Sequence, residues 1–298
     1  MLDFHKLTLQ DGPWMREILS RTHHMSCEYC FGNHYAWHRT YDARVCRIND
    51  YYIVALRNDE GENGSSFLYP AGTGEIKPVM EALLAYCRSQ GIRFRMHSVE
   101  EADKEQLIRL FPGKFCITEH RDYADYVYLV SDLVNLSGKK YHGKRNHLAH
   151  FYKNNWSFEP ITAANVSECL EMNRQWSIEN AELKEEGVLA ERCAIRLCMT
   201  HLEELGCFGG LLRVDGKVVA YTVGERLNSD TVVVHFEKAF SHIQGAYPAI
   251  NREFLAQMCQ GYTYVNREED LGIAGLRRAK ESYHPLFLVA KYGVTLAE

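Results

Sequence analysis

Three acids in a row, Glu268-Glu269-Asp270, stand where a short apolar stretch gives way to Leu271-Gly272 and a helical pattern. A carboxylate at such a junction can take a proton from an attacking amine or hydroxyl, or hold an ammonium group, which makes Glu269 and Asp270 candidate catalytic residues. The plainer account is that acids beside a helix start complement its dipole. Arg277, Arg278, Lys280 and Tyr283 follow, and residues three apart share a helix face, so Arg277 meets Lys280 and Lys280 meets Tyr283. Lys280 can then steady the oxyanion that forms as a carbonyl is attacked, and Tyr283 can protonate a leaving oxygen. Alternatively, Lys280 pairs with a surface acid and Tyr283 packs its ring. Glu237, Gly245, Arg252, Asn266, Arg267 and Arg277 are candidates for contacting substrate.

A second kind of chemistry is written in residues 138–156. Lys139, Lys140, Lys144, Arg145 and Lys153 stand there with three His and no acid, interleaved with Tyr141, Phe151, Tyr152 and Trp156. Cations can neutralise phosphates and aromatic rings can stack on exposed bases, so Lys139, Lys140, Lys144 and Arg145 are candidate nucleic-acid contacts. A solvated linker helix would show the same composition. Residues 157–206 hold ten Glu against four Lys or Arg, a face expected to repel RNA. Cys27, Cys30, His34 and His38 could share one side of a helix, but one straight rod cannot wrap a tetrahedral ion, so an aromatic core segment is expected there and no metal. Ala71-Gly72-Thr73-Gly74 before a helix reads as an ordinary strand-to-helix turn. No Ser-His-Asp order, phosphate-loop lysine motif or dinucleotide fingerprint occurs.

The elements that must position these groups are clearest in the second half. A strand at 157–161 precedes a helix opened by Asn165 and Glu168, read as a capping box, and a second helix is stopped by Gly206. Cys207–Val214 and Val218–Arg226 are joined by Asp215-Gly216, a strong hairpin signal, and Thr231–Lys238 follows. Pro248 suits a first helical turn, Tyr262–Asn266 is a strand, a helix covers 275–283, and Leu286–Tyr292 closes the series. The order is βααβββαβαβ. The first half contains a βαβαβ run: a strand at 67–69, a helix with Ile76, Val79, Met80, Leu83, Leu84 and Cys87 inward, a strand at 92–97, a helix capped by Ser98 and Glu101, and a strand at 126–130. The expected division is 1–135, a basic aromatic connecting helix over 136–156, and 157–298.

With 298 residues the chain has length for two domains of about 150. Its 34 Lys plus Arg against 39 Asp plus Glu leave no global field for polyanions. No apolar run approaches the roughly 20 residues that cross a bilayer, and the N-terminus lacks a secretory core, so a cytoplasmic protein, peripheral to a membrane at most, is expected. Its ten cysteines are expected to be mostly reduced, with Cys87, Cys169, Cys198 and Cys259 packed on helices.

The βααβββαβαβ order resembles the GNAT acyltransferase fold, and the first half resembles a weaker copy, giving an α/β fold of two tandem GNAT-like domains. The stretches Tyr264–Pro285 and Lys139–His147 resemble the soluble family related to the C-terminal catalytic part of phosphatidylglycerol lysyltransferase, over essentially the whole chain. That resemblance implies transfer of an amino acid from aminoacyl-tRNA to an acceptor, with chemistry in the second domain. GNAT enzymes cradle the coenzyme A pyrophosphate on a Gly-containing loop at a helix N-terminus. The matching segment, His242–Tyr247, keeps Gly245 but carries His242 and Tyr247 at the other two positions, which argues against acetyl-CoA. The leading expectation is therefore an aminoacyltransferase with no required cofactor. Its partners would be tRNA and an amine or hydroxyl acceptor, whether small molecule, peptide or lipid headgroup. The rivals are an acyl-CoA-dependent N-acyltransferase and a non-catalytic module that binds RNA or a lipid headgroup.

Overall fold

The computed structural model describes residues 2–57, 65–180 and 185–297. Its strands, in chain order, begin with β1 (His5–Lys6), β2 (Arg44–Ile48), β3 (Tyr51–Arg57), β4 (Ser65–Phe67), β5 (Ala71–Gly72), β6 (Arg95–Val99) and β7 (Phe115–Glu119). They continue with β8 (Asp125–Leu129), β9 (Trp156–Pro160), β10 (Cys207–Val214), β11 (Lys217–Arg226), β12 (Thr231–Ala239), β13 (Tyr264–Asn266), β14 (Phe287–Val289) and β15 (Tyr292–Leu296). The helices are α1 (Gly12–Leu19), α2 (Phe31–Trp37), α3 (Ile76–Gln90), α4 (Glu101–Leu110), α5 (Val130–Asn135), α6 (His142–Phe151), α7 (Val166–Glu179), α8 (Glu185–Thr200), α9 (Leu202–Leu205), α10 (Ala246–Met258) and α11 (Ala274–Glu281).

The chain forms two compact units that alternate along the sequence. Unit 1 comprises Met1–Asp125, Glu268–Arg277 and Leu288–Glu298; unit 2 comprises Tyr126–Arg267 and Arg278–Phe287. The sheet of unit 1 runs β1-β2-β3-β4-β6-β15-β7, with β5 paired to β3. The other sheet runs β14-β8-β13-β12-β11-β10-β9. The strand expected to close the second half is thus split. Phe287–Val289 joins one sheet, whereas Tyr292–Leu296 lies between β6 and β7 in the other. The break falls at Ala290-Lys291 because the Lys291 side chain turns into a buried group of carboxylates, described below. The strand read at 126–130 likewise leaves its chain neighbours and pairs with β13.

Unit 1 takes its core from the α3 stripe. Ile76, Val79, Met80, Leu83, Leu84 and Cys87 are all buried, packed with Ile53, Phe67, Met96 and Val294, and Gly91 ends the helix in the left-handed conformation. The capping box read at Ser98 and Glu101 does not form. Glu100 occupies the cap, and the Ser98 hydroxyl donates instead to Glu28 at 2.6 Å.

In unit 2, β11 is buried along both faces because α10 packs on one side of the sheet strands and α7 on the other. The β10–β11 hairpin turns at Asp215 and Gly216, both at positive φ, as a two-residue turn of the primed type requires. Asn165 heads α7, but its side chain accepts from Thr162 N at 2.8 Å and Glu168 pairs with Arg213, so the expected reciprocal box is absent. Parallel pairing of β12 with β13 covers only Thr231–Val233 against Tyr264–Asn266. Strand β12 continues to Ala239 with no ladder from β13, and this splayed end opens a wedge inside the unit. Among the described residues no helix is long and apolar enough to cross a membrane.

Candidate functional site

The wedge of unit 2 places Glu237, near the end of β12, opposite Arg267, which follows β13. Arg267 Nη2 donates to Glu237 Oε1 at 2.8 Å, both side chains being nearly buried at 13% and 12% exposure. Asn251, on α10, donates to the other Glu237 oxygen at 3.3 Å. The Arg267 guanidinium carbon lies 4.8 Å from the Tyr283 ring centre and 5.9 Å from that of Tyr128. Burial pushes the Tyr283 phenol up to about 12 against the opposing effect of Arg267, so Tyr283 keeps its proton at neutral pH. Lys280 is buried, donates from Nζ to the Arg267 carbonyl and lies 5.7 Å from the Tyr126 ring centre. Tyr128 and Tyr141 donate to the carbonyls of Lys280 and Tyr283 at 2.9 and 3.0 Å, fixing the segment that presents these residues. Asn266 is fully buried within β13.

Lys144 joins this group from α6. Its Nζ lies 3.6 Å from the Tyr283 ring centre and 2.7 Å from Ser282 Oγ, and burial, aided by the Arg267 charge, lowers its ammonium to about 8. The rest of the basic stretch diverges. Arg145 donates to the carbonyls of Leu136 and Gly138, Lys140 pairs with Asp132 at 3.6 Å, and Lys139 is exposed. Tyr141 and Phe151 are core residues, so their rings cannot stack on bases. Arg252 bonds the Val134 carbonyl at 3.2 Å and Glu253 at 2.6 Å. The acid-rich region is partly neutralised: Glu159 and Glu168 bind Arg213, and Glu191 binds Lys238 at 2.7 Å.

Gly245 occupies a cramped place. Its φ is +83°, and a Cβ there would come within 2.1 Å of the His147 carbonyl oxygen on α6. Tyr247, two residues on, accepts a 3.2 Å bond from Trp176. The Cβ side of Gly245 is packed against α6, at His147 and Phe151.

Unit 1 holds the acids at the start of the 268–277 segment. Asp270 is fully buried and accepts from Arg277 Nε and Nη2, each at 2.8 Å, and from Gly272 N at 2.8 Å, with Arg121 Nη1 at 3.4 Å. Arg277 also binds Asp122 at 2.6 Å. Bidentate guanidinium binding of this kind fixes a loop. Glu269 faces elsewhere, 3.6 Å from both Lys291 Nζ and Cys27 Sγ.

Around Lys291 the sequence reading missed a cluster. Lys291 is 1% exposed, with Nζ at 2.7 Å from Asp125, 2.8 Å from Glu28 and 3.4 Å from Cys27 Sγ. Burial disfavours its charge, but Asp125 and the neighbouring anions outweigh that and raise it well above the ordinary lysine range. Burial likewise raises Asp125, to about 7, whereas Lys291 overcomes burial at Glu28 and holds it at about 2. Cys27, Glu28 and Asp125 could converge on a metal ion, but the Lys291 ammonium already lies against all three. The available signal was a lone lysine inside the apolar run 286–292, since a buried charge needs partners.

The family model of the phosphatidylglycerol lysyltransferase C-terminal region matches residues 19–295. A conserved protein of unknown function from Bacteroides thetaiotaomicron is 36% identical over all of both chains, with a TM-score of 0.95. The C-terminal domain of a putative lysylphosphatidylglycerol synthetase from Agrobacterium fabrum is 13% identical, covering 97% of this chain and 92% of its own, with a TM-score of 0.68. L-PGS from Bacillus licheniformis is 16% identical over 85% of this chain and 84% of that chain, with a TM-score of 0.63. No curated protein matches the sequence. The match over residues 19–295 leads to one assignment: this chain belongs to the phosphatidylglycerol lysyltransferase C-terminal family, acyltransferases on a tandem GNAT-like fold.

Proposed function

We propose that this protein transfers an aminoacyl group from aminoacyl-tRNA to an amine or hydroxyl acceptor, with the chemistry in the wedge of unit 2. What supports an RNA ester over acyl-CoA is the family match together with His242 and Tyr247, which depart from the coenzyme A loop pattern on either side of Gly245. In the transfer, the acceptor attacks the ester carbonyl, a proton leaves the attacking atom and another goes to the departing ribose oxygen. In this reading Glu237 receives the first as its Oε2 gives up the long 3.3 Å bond from Asn251, and Tyr283, neutral at physiological pH, supplies the second. Arg267 holds Glu237 in position across the wedge. Exposed Lys139 before α6 and Lys153 after it would give the RNA backbone a cationic approach.

The purified protein with charged tRNA and a panel of amine and hydroxyl acceptors should deplete the ester faster than spontaneous hydrolysis, with binding that weakens steeply as salt rises. A thermal shift with acyl-CoA, joined to no effect on charged tRNA, would transfer the assignment to a coenzyme A-dependent enzyme.

A further inference from the structure

Unit 1 has a hollow of its own, of about 160 Å³, where the C-terminal turns of α3 meet the end of β15. Leu84, Cys87 and Phe94, all buried members of the unit 1 core, line it from the inside. Half-buried Ile92 and Leu296, 44% exposed, line it nearer the surface. Two charges border this apolar lining: Arg88, in the last turn of α3, and Arg93, just before Phe94, both exposed. Neither side chain enters a hydrogen bond or ion pair among the described residues, whereas Arg213, Arg267 and Arg277 each bind carboxylates. An apolar hollow with a few convergent polar groups at its mouth is the usual form of a small-ligand site.

We infer that this hollow binds a short aliphatic carboxylate, its chain against Leu84, Phe94 and Leu296 and its anionic end on Arg88 and Arg93. Charge complementarity selects the anion: two guanidiniums without an acid partner face the mouth, and the guanidinium fork matches the two oxygens of a carboxylate. Volume selects the chain. At roughly 30 Å³ per water the hollow holds about five waters, which a chain of about five or six carbons displaces and a long acyl tail overfills. Every lining residue lies in unit 1, so the inference stands apart from the transfer reading for unit 2.

The test is calorimetry on the intact protein with hexanoate, acetate and hexanol, joined to methyl resonances of the isoleucine-labelled chain to locate the ligand. Hexanoate should saturate one site, bind at least about tenfold tighter than acetate because its methylenes leave water, and move the Ile92 resonance. Arg88→Gln and Arg93→Gln, both at exposed positions, should each weaken hexanoate by roughly twofold to fivefold, and together by more than either alone. Acetate binding as well as hexanoate would reduce the place to an anion contact and overturn the chain assignment. Hexanol matching hexanoate, or unchanged affinity in the double arginine variant, would overturn the carboxylate. A peptide ending in leucine that outcompetes hexanoate would make the hollow a docking place for a polypeptide C-terminus instead. No saturation by hexanoate, or saturation with Ile92 unmoved, would remove the site, and turnover of charged tRNA bears on none of these outcomes.

Discussion

At the scale of single residues, the two ends of the expected catalytic set meet different surroundings. Asp270 accepts bonds from two arginines and a backbone amide, so its oxygens are occupied by the loop it belongs to. Asp270→Ala leaves Arg277 without its main acceptor, and urea melts should show a loss of about 1–3 kcal/mol. Tyr283 is buried against Arg267 and Lys144 and keeps its proton. If the phenol protonates the leaving oxygen, Tyr283→Phe should lower kcat by roughly 10²–10⁴ while circular dichroism melts change little. Lys144 makes a prediction about pH. Its ammonium is held at about 8, below the unfolded value, so between the two the unfolded chain binds the extra proton and stability rises with pH. The penalty is complete below about 8. Lys144→Met should therefore raise Tm by a few degrees at pH 7 and make little difference near the unfolded lysine pKa, which thermal melts at the two pH values would show. Lys144 was legible as a cation in a basic stretch, but its place on Tyr283 was not. Spacing along a helix says which residues share a face, not which distant ring that face will meet.

At the scale of elements, patterns that depend on neighbours in sequence were readable and those that depend on a partner were not. The α3 stripe, the Asp215-Gly216 hairpin and the Gly91 and Gly206 stops all appear where periodicity and glycine conformational freedom place them. The two capping boxes failed because their side chains found better acceptors or donors elsewhere: Ser98 went to Glu28 and Glu168 to Arg213. Gly245 illustrates the same limit. Its sequence context suggested a phosphate-binding loop, and the fold uses it for helix packing. Gly245→Ala should cost more than about 2 kcal/mol, from the left-handed backbone and the meeting with His147, as a shift in the denaturation midpoint. The end of the apolar run 286–292 is set by Lys291. Replacing it by Met leaves Glu28 and Asp125 buried without their cation, a loss of about 3–5 kcal/mol near neutral pH. That loss should shrink on acidification, as the orphaned carboxylates take up protons, and melts across pH would trace it.

At the scale of the whole molecule, chain order and spatial order part company. Strand β15, from the C-terminus, sits inside the first sheet between β6 and β7, and β8, from the first half, pairs with β13 in the second. Removing residues 288–298 deletes an interior strand of unit 1 together with Lys291, so the truncated chain should lose cooperative unfolding of that unit, read by hydrogen exchange over β6 and β7. The sequence by itself determined the element types, most of their limits, the tandem GNAT-like class and the family, because periodicity, turn residues and motif text are local properties of the chain. Only the tertiary structure decided which strands share a sheet, that Glu237 faces Arg267 across the wedge, and that Lys291 is bound by Asp125 and Glu28. Those pairings join residues tens to hundreds of positions apart, and they are set by the burial of charge and the closing of hydrogen-bond ladders, which no stretch of sequence specifies on its own.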